Sequence, residues 1–224
     1  MRIAPDVYFY PFAGTMENNC NTIVLTGSQP VIIDPGHKHL WPRLADKLDD
    51  DGLNPADFKL ALFTHCHPDH MEAGQVLEEK FSLTQAMGRE EKVFYDGPGQ
   101  AFFPWMGLDL PSGYIGRLID PGPLDLGDKV LDVYLSPGHS PGSLCFHWPQ
   151  ERLLITGDVI FARSFGRYDF PGGNLAQLIK SIEALQGLPP AAALLPGHGP
   201  AVMGEAEIRD NFSYVLEMMK SFPG

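Results

Sequence analysis

His65-Cys66-His67-Pro68-Asp69-His70 places three imidazoles and a carboxylate within six consecutive residues. Neutral imidazole nitrogens and carboxylate oxygens bind zinc, iron and manganese, and no matched cysteine pair is present to close a structural zinc site. Three more residues of the same chemistry stand further along: His139 in Ser136-Pro137-Gly138-His139-Ser140-Pro141-Gly142-Ser143, Asp158 closing Leu153-Leu154-Ile155-Thr156-Gly157-Asp158, and His198 in Leu194-Leu195-Pro196-Gly197-His198-Gly199. Taken singly, a Gly-Asp or Gly-His-Gly after an apolar run is an ordinary turn. Taken together, five of the eight histidines fall in loops that follow apolar runs, and this predicts a metal site.

The elements that must position these residues are short and mixed. Val7 to Tyr10, Thr22 to Thr26, Val31 to Ile33, Leu60 to Phe63, Val130 to Leu135, Leu144 to Trp148 and Leu153 to Thr156 read as strands, most closed by Gly, Pro or Asp. A helical period links Leu40, Leu44 and Leu48; a second links Leu175, Leu178, Ile179, Ile182 and Leu185; a third links Ile208, Phe212, Val215, Leu216 and Met219. A short helical stretch is expected from about Met71 to Lys80. Strands and helices mixed without a compositional break predict one layered α/β domain over residues 1–224. Four strand ends would then deliver ligands to one rim, where sites on such sheets tend to lie.

Composition removes several function classes. With 16 Lys and Arg against 28 Asp and Glu, the formal charge of -12 gives no footprint for a nucleic-acid backbone or an anionic membrane surface. Cys20, Cys66 and Cys145 are odd in number and scattered, which fits a reducing compartment better than a disulfide framework. Met1-Arg2-Ile3-Ala4-Pro5-Asp6 lacks the apolar run of a signal peptide, and no stretch is long enough to span a bilayer. The expectation is a cytoplasmic protein with no nucleic-acid or membrane partner, acting as a monomer or homodimer.

His-x-His-x-Asp-His, a distant His, a Gly-Asp and a last Gly-His occur here in the order of the metallo-β-lactamase superfamily. Gly157-Asp158-Val159-Ile160-Phe161, Gly166-Arg167-Tyr168-Asp169-Phe170-Pro171-Gly172-Gly173 and Leu195-Pro196-Gly197-His198-Gly199-Pro200 resemble its short bacterial glyoxalase II-like branch. The resemblance implies an αββα four-layer sandwich with two divalent metal ions, zinc foremost and iron or manganese as alternatives. It assigns His65, His67 and His139 to the first ion, Asp69, His70 and His198 to the second, and Asp158 to both, with Asp69 and Asp158 also catalytic. It further implies a metal-activated hydroxide that cleaves S-acylglutathione or a similar small thioester.

Neighbouring branches are separated by particular residues. The zinc β-lactamases carry Cys in place of Asp158 and Arg in place of His70; flavodiiron proteins carry Glu in place of His67. Persulfide dioxygenases share a segment like Gly166 to Phe170 and use one iron on residues matching His65, His139 and Asp158, so that activity stands as the alternative. Lactone or phosphodiester hydrolysis and a non-catalytic metal-binding role follow behind. Only 26 residues come after His198, too few for the helical domain with which longer glyoxalase II enzymes hold glutathione.

Substrate contacts must then come from loops. Asp96 to Gly122, rich in Gly and Pro with Phe102, Phe103, Trp105, Met106 and Tyr114, is the candidate lid; the same side chains could instead cap the core or pair two subunits. Asp34, in Ile33-Asp34-Pro35-Gly36, is placed to orient a ligand imidazole or to form a plain turn. Arg167 and Asp169 are expected to pair and brace the loop after Asp158. His37 and His39 read as solvated loop residues, His147 as a satisfied structural histidine and Cys66 as a small buried filler.

Overall fold

Leu60-Ala61-Leu62-Phe63 shows how the chain is layered. Alternate side chains of a strand point to opposite faces. Here Leu60 and Leu62 join one apolar cluster while Ala61 and Phe63 join another, so both faces of the strand are buried. The computed structural model describes residues 1–14 and 17–222. Within them, one sheet runs in the order β1 (Arg2–Ala4), β2 (Val7–Tyr10), β3 (Thr22–Leu25), β4 (Val31–Ile33), β5 (Leu60–Phe63), β6 (Thr84–Gly88), β7 (Ile115–Ile119). The first four pair antiparallel and the last four parallel.

A second sheet draws on β8 (Gly122–Asp125), β9 (Val130–Leu135), β10 (Leu144–Trp148), β11 (Leu153–Gly157), β14 (Ala193–Pro196) and β15 (Val202–Met203), in the order β15-β14-β11-β10-β9-β8. Only β11 and β14 are parallel. A small hairpin of β12 (Ile160–Phe161) and β13 (Ser164–Phe165) follows Asp158.

Three apolar seams hold the layers together. Val7, Phe9, Ile23, Leu62, Leu131, Phe146 and Ile155 fill the space between the sheets. On the outer face of the first sheet, Val24, Ile32 and Phe63 meet helices α1 (Trp41–Asp50), α3 (Gly74–Phe81), α4 (Arg89–Tyr95) and α5 (Phe102–Trp105) through Leu48, Leu77, Phe94 and Phe103. On the outer face of the second, Cys145, Leu154 and Leu194 meet α6 (Leu175–Gln186) and α7 (Glu205–Lys220) through Leu178, Ile182, Phe212 and Val215. This is the αββα sandwich. Among the described residues no helix is long and apolar enough to cross a membrane, and all three cysteines are free and buried.

Two expectations about local structure need revision. The helix expected from Met71 begins earlier: α2 (Pro68–Met71) opens with proline at its first turn, and α3 follows at Gly74. Proline is pre-set for that position, so Asp69 and His70 sit on a helical turn and not in an open loop. The candidate lid is also shorter than Asp96 to Gly122, because Ile115–Ile119 is the edge strand of the first sheet. Its pairing with β6 is a tertiary contact that Ile-Gly-Arg-Leu-Ile does not announce locally.

Candidate metal centre

Strand ends supply nearly every ligand candidate. His65 and His67 follow β5, with Asp69 and His70 on the turn that comes next; His139 follows β9; Asp158 follows β11; His198 follows β14. These strands belong to both sheets, and their ends meet at one edge of the sandwich. Gly197 makes the approach possible: a Cβ there would collide with Asp158 Oδ1 and come within 2.8 Å of His70 Cε1. Gly166 does the same beneath His139, where a Cβ would lie 2.9 Å from Nδ1.

Three ring nitrogens face a single point. His65 Nε2 is 3.0 Å from His67 Nδ1, and His139 Nε2 is 3.1 Å and 2.9 Å from those two atoms. Two of the outward nitrogens, those of His65 and His139, are fixed by other groups. Thr64 Oγ1 lies 3.0 Å from His65 Nδ1, and His139 Nδ1 donates to the Arg167 carbonyl at 2.6 Å, which leaves the His139 Nε2 lone pair turned inward. Burial, reinforced by the neighbouring imidazoles, pushes His65 well below the usual histidine range and His67 down to about 3. Neutral imidazoles converging at these separations suit a cation held at roughly 2.0–2.1 Å.

A second cluster is richer in carboxylate. His198 Nε2 lies 3.3 Å from Asp69 Oδ2 and 3.4 Å from Asp158 Oδ2, while His70 Nε2 lies 3.3 Å from Asp158 Oδ1 and 4.0 Å from Asp69 Oδ2. Asp158 Oδ2 is also 3.6 Å from His139 Nε2, so its carboxylate spans the two clusters. Burial alone would lower both His70 and His198; the carboxylates outweigh it, raising His70 well above its usual range and His198 to about 10. Burial would likewise raise Asp158, yet His198 and His70 hold it well below its usual range. In this cluster His70 Nε2 and Asp158 Oδ1 are buried without a hydrogen-bond partner. Buried polar atoms are seldom left so, and this donor set fits two divalent cations.

Asp34 takes the orienting role. It is fully buried in the left-handed region at φ 51°, and its carboxylate accepts from Thr64 N at 2.8 Å, Thr64 Oγ1 at 2.7 Å and His70 Nδ1 at 2.9 Å. Such partners fix ring direction and raise ligand basicity. Asp34→Asn keeps the shape and tolerates the backbone but turns an amide toward one of those donors. Chelator competition is expected to show metal binding weakened by roughly 10- to 100-fold; unchanged affinity would remove Asp34 from this role.

Arg167 and Asp169 pair as expected, at 2.9 Å and 2.7 Å, but both side chains are exposed. It is the Arg167 carbonyl that reaches a ligand.

A cavity of about 490 Å³ opens over His67, Asp69, His139, Asp158 and His198. Phe102, Trp105, Met106, Phe161, Phe165 and Phe170 wall it, with Asn18 and Arg167 at the margin. Two of the four lid candidates are misplaced. Phe103 is fully buried against Tyr95 on the core side of α5, and Tyr114 points to solvent from the edge of the first sheet. A short helix turns only one side toward the cavity, so Phe102 and Trp105 line it and Phe103 does not.

Two histidines also differ from expectation. His37 is buried and bonded through Nδ1 to Glu72 at 2.8 Å, away from the cavity, while His39 is exposed as foreseen. His147 is buried as expected but unsatisfied, with neither ring nitrogen partnered, because β10 turns it toward the apolar seam under α6 and α7.

Several supporting residues carry no local sequence signal. Glu91, fully buried at the start of α4, accepts from Cys66 N at 2.9 Å, Gly142 N at 2.8 Å and Ser140 Oγ at 2.8 Å. It ties the loop of His65 and His67 to that of His139. Asn21 Nδ2 donates to the carbonyls of Pro196 and Gly199 at 3.0 Å and 2.8 Å, bracing the His198 turn. Asn18 Nδ2 donates to Asp69 Oδ2 at 2.7 Å. In sequence, Arg89-Glu90-Glu91-Lys92 reads as a solvated charged face, and only the tertiary contact reveals Glu91.

Comparison with known proteins agrees with this geometry. The profile of the metallo-beta-lactamase superfamily matches residues 15–198. The hydroxyacylglutathione hydrolase GloC of Haemophilus influenzae is 31% identical over 202 residues, covering 87% of this chain and 92% of its own. Among solved structures, TTHA1623 in a di-iron-bound form is 32% identical with TM-score 0.74, covering 90% of this chain and 98% of that one. BLEG-1, described as a B3 metallo-beta-lactamase, is 27% identical with TM-score 0.78, covering 93% and 99%. With its fold, its converging ligands and a profile spanning most of its length, the chain belongs to the metallo-beta-lactamase superfamily.

Proposed function

We propose that this metallo-hydrolase uses a two-metal centre to cleave small thioesters, S-acylglutathione among them. The observation that carries the reading is the meeting of His65, His67, His139, Asp69, His70, Asp158 and His198 in two adjoining clusters, five of them lining one cavity, with Asp158 spanning both clusters. His65, His67 and His139 would hold one ion and Asp69, His70 and His198 the other, with zinc as first choice and iron or manganese accepted by the same donors. Two divalent cations held by these residues would make hydroxide available at neutral pH and would polarise a substrate carbonyl.

The chain's own residues do the rest. Asp34, Thr64 and the Arg167 carbonyl hold the imidazoles of His70, His65 and His139 so that their free nitrogens face inward. The aromatic walls give the substrate carbonyl an apolar flank beside the metal centre. Hydrolysis breaks the C–S bond and forms a C–O bond, giving a carboxylate and a free thiol. No serine or cysteine nucleophile is needed, and Cys66 is fully buried, its thiol pushed up by burial and by Glu91. The similarity to the hydroxyacylglutathione hydrolase GloC supports the same reading.

Metal analysis of protein expressed without supplementation, with thiol release from S-D-lactoylglutathione and a small thioester panel, provides the test. Two ions per chain and thiol release are expected. One tightly bound iron with sulfite formed from glutathione persulfide would replace the reading with a dioxygenase.

A further inference from the structure

Phe102, Trp105 and Phe170 form an aromatic wall of the cavity. Ring centroids are 5.7 Å apart for Phe102 and Phe170, 5.4 Å for Trp105 and Phe170, and 6.1 Å for Phe102 and Trp105. Trp105 and Phe170 meet edge to face, at 87°. Trp105 is nonetheless 66% exposed. A large aromatic surface left open at the mouth of a site marks a place where a ligand is bound. The wall also adjoins the metal centre directly, since the Phe102 ring is 4.4 Å from that of His67.

Charge argues in the same direction. Apart from histidines, Arg167 is the one cation lining the cavity among the described residues. Its guanidinium is held by both oxygens of Asp169 and lies 4.1 Å from the centre of the Phe170 ring. It is therefore occupied, and its stem and plane extend the wall. A chain of formal charge -12 adds no general attraction for an anionic ligand.

We infer that this site takes a substrate carrying an aromatic ring, seated against Phe102, Trp105 and Phe170 while the scissile carbonyl lies over the metal centre. The inference rests on the thioesterase reading for its chemistry, but the ring-binding wall stands on its own geometry. Aromatic rings stack offset or edge to face, and the exposed indole of Trp105 lines the cavity. The ring belongs to either the acyl half or the thiol half of the ester, and the substrates chosen separate the two.

The test uses metal-loaded protein and thioesters that share one thiol, acetyl against phenylacetyl, and a matched pair that share one acyl group, methyl thiol against benzyl thiol. An aryl preference of at least about tenfold in kcat/KM is expected for one pair, falling at least about fivefold in Trp105→Ala. Because Trp105 is exposed, this substitution leaves the core intact. Trp41 and Trp148 are 4% and 6% exposed, so the cavity tryptophan dominates quenching by bound ligand. Phenylacetate is expected to quench emission at a concentration at least about tenfold below acetate, and Trp105→Phe to lose that signal. Equal kcat/KM within both pairs would overturn the inference and leave the thioesterase reading standing. If no thioester is cleaved that reading falls, and the phenylacetate titration decides the aromatic site alone: equal or absent quenching overturns it.

Discussion

Asp158→Ala is expected to reduce bound metal from two ions per chain to one or fewer and to lower the hydrolytic rate by about 10²–10³-fold or more, the scale seen when one group that stabilises developing charge is removed. The reason is geometric. Asp158 is the one carboxylate within 3.6 Å of imidazoles from both clusters: 3.3 Å from His70, 3.4 Å from His198 and 3.6 Å from His139. Alanine leaves two sets of imidazoles with no anion between them, and two cations a few ångströms apart then repel without compensation. Asp69→Ala removes a carboxylate from the second cluster alone and should spare the first. Metal stoichiometry by mass spectrometry, read with the rate, checks both; two ions and an undiminished rate in Asp158→Ala would sink the two-metal reading.

Glu91→Ala should unsettle a different level of the structure. Three donors from two ligand loops converge on that carboxyl group: the amides of Cys66 and Gly142 and the hydroxyl of Ser140. Truncation strands two buried amides, whose desolvation costs about 1–3 kcal/mol each, while Ser140 still reaches Ser143. A loss of about 3 kcal/mol corresponds to a fall of roughly 6–12 °C in Tm for a chain of this size. The His65, His67 and His139 cluster should also lose affinity before the other, because the clamp joins the two loops that form it. Ser140→Ala removes one leg only and should show a smaller drop of the same kind. Calorimetry with and without metal separates the two effects; an unchanged Tm would show that the clamp is dispensable.

The contrast between these residues explains what could be read in advance. Asp158 was legible because a metal ligand must be one of a few residue types, and loops such as Thr156-Gly157-Asp158 and Pro196-Gly197-His198 follow recognisable apolar strands. Strands buried on both faces keep their apolar character along their whole length, so β4, β5 and β10 stand out at their true bounds, and β9 does so by its alternation. β6 and β7 did not stand out. Thr-Gln-Ala-Met-Gly has little strand preference, and β7 exposes its three central residues at a sheet edge; both are set by parallel pairing with distant neighbours.

Glu91, Asn21 and the Arg167 carbonyl share that difficulty. A glutamate in a charged run, an asparagine before a strand and a main-chain oxygen carry no type-specific signature, and their work depends on partners 25 to 178 residues away. The lid shows the same limit at the scale of one helical turn. Composition marked Phe102 to Tyr114 as apolar, but a helix faces its neighbours in rotation, so adjacent phenylalanines part, Phe102 to the cavity and Phe103 to the core.

By itself, then, the sequence determined the layered α/β fold, the identity of the converging imidazoles and carboxylates, and the loops that carry them, because ligand chemistry and strand burial are properties of residue type and spacing. Only the tertiary structure decided how those loops are clamped, which nitrogen of each imidazole is free, and that an aromatic wall stands open beside them. Those are matters of direction and distance between segments far apart in the chain, and packing alone fixes them.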